Sequence, residues 1–238
     1  MPFYCQTFNP NLPSHIICDF DGTISLKDTT DYLLSCYGKD GWIEIEQQWE
    51  QGLIGSQSCM QQQVALLDMS VQQFHHCLDQ IHIDAGFIDF AQSAAEAGIR
   101  LSIVSDGLDL AIHYILKKHQ LSHIPVTANQ LSQRTERTWQ LDFPNQNSHC
   151  LAQSGTCKCK FTHNNNSHNI LLIGDGRSDF CIAEQADYVF AKKSLIQHCQ
   201  DKNIQHLAFE HFSDLMPALS QLIQHQSASV IPSRLVIA

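Results

Sequence analysis

The chain has 238 residues, 43% hydrophobic and 16% charged, which suits a globular protein with a core of its own. Its formal net charge is -10 and no long Lys/Arg run is present, so binding to a nucleic-acid backbone is not expected. No apolar stretch approaches the ~20 residues of a membrane helix, and the opening MPFYCQTFNPNLPSH has no basic-then-apolar leader, so a cytoplasmic protein with reduced cysteines is expected.

In chain order, the apolar run His15–Cys18 reads as a buried strand that ends on Asp19-Phe20-Asp21-Gly22-Thr23. Residues 28–85 then read as helices, with Ser56 and Ser70 as N-caps and glycines as stops, which predicts a small helical domain. From Gly86 the rhythm changes. A helix ends on Gly98, a strand runs into Ser105-Asp106-Gly107, and another helix follows. Residues 126–147 read as a β-hairpin hung on the core, and the Asn/His-rich stretch 162–169 as a loop. A further strand ends on Gly174-Asp175-Gly176, followed by a short helix and two short strands around "DYVFA" and "QHLAF". Strands alternating with helices predict an α/β fold with a parallel sheet, formed by residues 1–27 and 86–238 around the helical insert 28–85.

Three of these strands end alike, each with an oxygen-bearing side chain beside a glycine. Ligands of open parallel sheets bind at the carboxyl ends of strands. Asp19 and Asp21, two apart in an extended segment, would face one crevice. Gathered carboxylates call for a hard cation, and Mg²⁺ bound with phosphate oxygens suits an all-oxygen set. A carboxylate also serves as a phosphoryl acceptor, with a second acid to protonate the leaving oxygen.

Asp19-Phe20-Asp21-Gly22-Thr23, Ser105-Asp106-Gly107 and Gly174-Asp175-Gly176-Arg177-Ser178-Asp179 together resemble the motifs of the haloacid dehalogenase superfamily, on its phosphatase side. The resemblance implies a Rossmann-like core with a helical type 1 cap, as in the phosphoserine-phosphatase-like branch. It also implies Asp19 as nucleophile, Asp21 as general acid/base, and Mg²⁺ held by Asp19, Asp21, Asp175 and Asp179. Asp179 would further orient a catalytic lysine, and Ser105, Asp106, Gly107 and the lysine would hold the phosphate. The spacing within Cys157-Lys158-Cys159-Lys160 leaves two candidate lysines; the resemblance favours Lys160, which follows the last cysteine. Only a short polar segment follows Phe161 where relatives begin a full helix. Arg177 is expected either to touch the substrate or to pair with an acid.

The segments around residues 16–25, 141–160 and 186–209 are similar to methionine-salvage phosphatases, implying such a phosphate ester as substrate. Phosphoserine and phosphocholine or phosphoethanolamine phosphatases are alternatives. So are a phosphotransferring mutase and, in another class, a non-catalytic binder of small molecules. The expected partner is a small phosphorylated metabolite, the chain being a monomer or homodimer. Cys150, Cys157 and Cys159 with His149, His163 and His168 could make a zinc site but match no standard zinc spacing, and reduced packed cysteines or an adventitious metal are expected instead. Trp42 and Trp49 are expected in the core of the cap, Glu44, Glu46 and Glu50 on a solvated face, and Lys192 and Lys193 at the surface.

Overall fold

A computed structural model describes residues 8–9, 11–150, 152–162 and 167–230, with side chains up to residue 224. The expected strands form one seven-stranded sheet: β1 Ser14–Cys18, β2 Arg100–Leu108, β3 Val126–Gln133, β4 Trp139–Asp142, β5 Asn169–Gly174, β6 Tyr188–Ala191 and β7 His206–Ala208. Their spatial order is β4-β3-β2-β1-β5-β6-β7. All neighbours are parallel except the β3–β4 hairpin. The chain leaves β1 toward β2 on one side and returns through β5 on the other, so the order reverses beside β1. That reversal opens a crevice at the carboxyl ends of the strands.

Alternation along the strands divides the core between the two faces of the sheet. Ile16, Cys18, Leu171 and Ile173 belong to one cluster, and Ile17, Ile170 and Leu172 to the other. Both faces are covered by helices: α5 Gly86–Glu96, α6 Asp109–Lys118, α7 Phe180–Ala183, α8 Lys193–Asp201 and α9 Met216–Val230. The sequence reading did not anticipate α8 or α9.

Four helices lie between β1 and β2: α1 Thr29–Tyr37, α2 Trp42–Glu50, α3 Ser56–Ala65 and α4 Val71–Asp79. Asp28 caps α1 by accepting from Asp31 N, and Ser70 and Gln73 form a reciprocal capping box on α4. The segments that enter and leave this block run side by side, with Leu26 N donating to His82 O (2.9 Å) and Asp84 N to Ile24 O (2.8 Å). The block is therefore an excursion from two adjacent points of the core. The β3–β4 hairpin leans against it. Trp139 Nε1 donates to Met69 O, and Arg137 bonds the Asp68 carboxylate and carbonyl.

Candidate active site

At the end of β1, Asp19 N still bonds Ile173 O of β5 (2.9 Å), which holds Asp19 in line with the sheet. Phe20 turns into the core, fully buried, and its carbonyl accepts from the amides of Thr23, Ile24 and Ser25. That tight turn leaves Asp19 and Asp21, on either side of Phe20, lining one cavity of about 230 Å³. Gly22 makes the turn at φ +71°, where a Cβ would also strike Asp175 Oδ2 and Lys193 Nζ. Gly107 faces Asp21 so closely that a Cβ there would lie 2.2 Å from its carboxylate.

The Asp19, Asp175 and Asp179 carboxylates come within 4.8 Å of one another. Lys158 lies between two of them, its ammonium 2.9 Å from Asp19 Oδ1 and 2.5 Å from Asp179 Oδ1. Burial opposes its charge, but the Asp179 and Asp19 carboxylates outweigh that and hold the ammonium above its ordinary range. This places Lys158, not the expected Lys160, at the site. Residues 158–161 form a single 3₁₀ turn in which Lys158 is buried and Lys160 exposed. In a helix of three residues per turn, side chains two apart point ~120° away from each other, so the two lysines do not share a face as they would in a strand.

Asp179 Oδ2 accepts from the Asp175 and Gly176 amides (3.1 and 3.2 Å). With Oδ1 taken by Lys158, both oxygens are committed, and Asp179 braces the site from behind. Asp175 Oδ2 meets the Lys193 ammonium at 2.8 Å, on a side chain 60% exposed. Burial and the Asp19 charge push the Asp175 carboxyl above the usual carboxylate range. Burial, then the Asp28 charge, does the same to Asp21, which accepts from Thr29 N at the start of α1 (2.8 Å).

Ser105 is buried, and its Oγ accepts from Gly107 N (3.0 Å). Asp106 does not present its carboxylate to the cavity as a free binding group. It accepts from Ser56 Oγ of α3 (2.5 Å), Asn129 Nδ2 of β3 (3.0 Å) and Thr156 N (2.9 Å), tying the helical block to the core. Arg177 lines the cavity and forms no ion pair with an acid among the described residues. It donates to the carbonyls of Trp49 (3.0 Å) and Glu50 (2.9 Å) at the end of α2 and stands 5.1 Å over the Trp49 ring.

Helix α2 buries none of its residues. Trp49 and Glu46 line the cavity with Asp28 and Asp31, in place of the core packing expected for Trp49 and the solvated face expected for Glu46. Loss of hydration in the cleft, then the Asp31 charge, pushes the Asp28 carboxyl up to about 7. Lys192 is buried rather than at the surface, donating to Thr23 O (3.2 Å) and standing over Phe209 and Phe212. Sequence reasoning missed Lys193, Ser56 and Asn129. A signal for Lys193 was its place just after the end of β6, the fourth strand end beside the crevice.

Strand-end carboxylates around a buried lysine, at the reversal point of a parallel sheet, define a hydrolase of the α/β class that the motifs suggested. The haloacid dehalogenase-like hydrolase model matches residues 16–184, and the chain belongs to that family. It is 32% identical to a 2-hydroxy-3-keto-5-methylthiopentenyl-1-phosphate phosphatase of Exiguobacterium, over 86% of this chain and 96% of that protein. It is 26% identical to a polyol phosphate phosphatase of Saccharomyces cerevisiae, over 87% of this chain and 93% of that protein.

 Two solved phosphoserine phosphatase structures share the fold: a phospho-aspartyl intermediate analogue (TM-score 0.65, 16% identity, 87% of this chain and 99% of that one) and a substrate-bound complex (TM-score 0.66, 17% identity, 87% and 98%). No helix among the described residues is long and apolar enough to cross a membrane.

Proposed function

We propose that the chain is a phosphatase that hydrolyses a small phosphorylated metabolite through a phosphoryl group carried on Asp19. The observation that carries this reading is the buried Lys158 ammonium held between Asp19 and Asp179, directly beside the cavity. It sets a fixed positive charge where a transferring phosphoryl group would add to the negative charge of Asp19.

An all-carboxylate set with one fixed ammonium suits a hard cation, so the site fits Mg²⁺. Asp19, Asp175 and the Asp21 carbonyl would hold it, with Asp179 supporting Lys158 rather than serving as a ligand. Bound there, the ion supplies charge neutralisation. Asp19 attacks phosphorus, and the bond to the ester oxygen breaks as Asp21 gives that oxygen its proton. Asp21, now a carboxylate, takes a proton from water as the water attacks the phosphorus of the aspartyl phosphate. Inorganic phosphate leaves and Asp19 is restored. Because Ser105 Oγ accepts from Gly107 N, its own O–H is available to a phosphate oxygen.

The helical block 28–85 acts as a cap in this reading, closing over the crevice and excluding water before transfer. The similarity to salvage phosphatases favours a methionine-salvage type phosphate ester. A second reading is favoured by Asp28, Asp31 and Glu46 beside Trp49 on the cap side of the cavity. Carboxylates and an aromatic face suit a cationic group, as in phosphocholine or phosphoethanolamine. A phosphate-release screen over salvage intermediates, polyol phosphates, phosphoserine and these amino esters tests both. Release from none, with Mg²⁺ present, would overturn the proposal.

A further inference from the structure

Four cysteines gather beside a second cavity, apart from the one that Asp19 and Asp21 line. Cys150 and Cys157 come from the loop before the 3₁₀ turn, Cys159 from within it, and Cys181 from α7. All four line one cavity. Cys157 and Cys159 are buried, and Cys150 and Cys181 half-buried against the same hydrophobic cluster. The thiols of Cys150 and Cys157, Cys150 and Cys181, and Cys159 and Cys181 are neighbours.

Asn147 Nδ2 lies 3.7 Å from Cys157 Sγ, a donor toward sulfur. The sequence alone groups three of these cysteines with His149, His163 and His168 rather than with Cys181. His163 lies outside the described residues, and His168 bonds Ser167 instead.

We propose that Cys150, Cys157, Cys159 and Cys181 bind one zinc ion as a structural site. Four soft thiolates suit tetrahedral zinc, and binding releases their protons. Among the described residues no three of these sulfurs lie within 4.8 Å of one another, so binding draws them together, to ~3.8 Å for Zn–S bonds of ~2.3 Å. The consequence is positional. Cys157 and Cys159 flank Lys158, and Cys181 follows Asp179 by two residues, so one ion would fix both partners of the buried pair. The 3₁₀ turn that carries Lys158 has no side-chain cap of its own.

The test is metal analysis of the purified full chain after weakly bound ions are dialysed away. About one zinc per chain is expected. Cys150→Ser and Cys181→Ser should each lose most of it, while Cys36→Ser and Asp175→Asn should keep it. Cobalt exchanged into the wild-type protein should show the thiolate charge-transfer band and intense visible bands of a tetrahedral sulfur site, a readout that needs no variant. Zinc at a small fraction of an equivalent with no such spectrum would overturn the proposal. So would zinc lost in Asp175→Asn but kept in the cysteine variants, or a disulfide among the four in the metal-free protein.

Discussion

Lys158 and Lys160 are separated by one residue and by their whole environment: one ammonium is buried between two carboxylates, the other is exposed. Replacing Lys158 by Met should lower turnover at least ~10²-fold, the scale of losing one preorganised donor, whereas Lys160→Met should cost little. Steady-state kinetics of the two variants checks this. The motif spacing was legible in the sequence, but the lysine was not, because the choice depends on whether residues 158–161 are extended or wound into a 3₁₀ turn. A second residue bears on stability. His15 is buried on β1 beside Ser102 Oγ (2.9 Å), and burial lowers its pKa to about 4. Its neutral form is the one the fold accommodates. The stability it contributes is therefore present above ~6.5 and is lost as pH falls toward ~4, amounting to about 1–2 kcal/mol once partial hydration is allowed for. Urea midpoints from pH 7 to pH 5 should fall more steeply for the wild type than for His15→Gln.

At the scale of elements, the strand ends could be read because each joins an apolar run to a glycine turn. The faces of the cap helices could not. Trp42 and Trp49 are seven apart and look like one buried stripe, but only Trp42, partly buried, packs against the core, while Trp49 faces the cavity. Seven-residue spacing reports a shared helix face, not what that face meets. Likewise α8 and α9 follow short strands without a motif to mark them. Arg177 links the loop after β5 to the carbonyl end of α2, where a cation also suits the helix dipole. Arg177→Ala should loosen that end of the cap. A rise in KM of about 10-fold, with a smaller change in kcat, is expected from losing two charge-assisted bonds on an exposed side chain. An unchanged KM would mean that the contact does not hold the cap.

For the whole molecule, the sheet brings together residues from distant parts of the chain at one crevice, which residues of the helical block 28–85 also line. That assembly followed from the alternation of strands and helices. The substrate did not, because the cap side chains that face the cavity are placed by packing rather than by spacing. Activity should require Mg²⁺, disappear on exhaustive chelation and return when the ion is restored. Ca²⁺ should inhibit, since its larger, looser coordination spoils in-line attack. Full turnover after chelation would contradict the cation assignment.

The central claim is that Asp19 carries the phosphoryl group. Acid-quenching the enzyme during turnover of a substrate found in the release screen, then mapping its peptides by mass spectrometry, tests this most directly. The account predicts one phosphoryl group on the peptide containing Asp19, and neither adduct nor turnover in Asp19→Asn. Steady phosphate release by Asp19→Asn, or a phosphoryl group found on another residue, would contradict it.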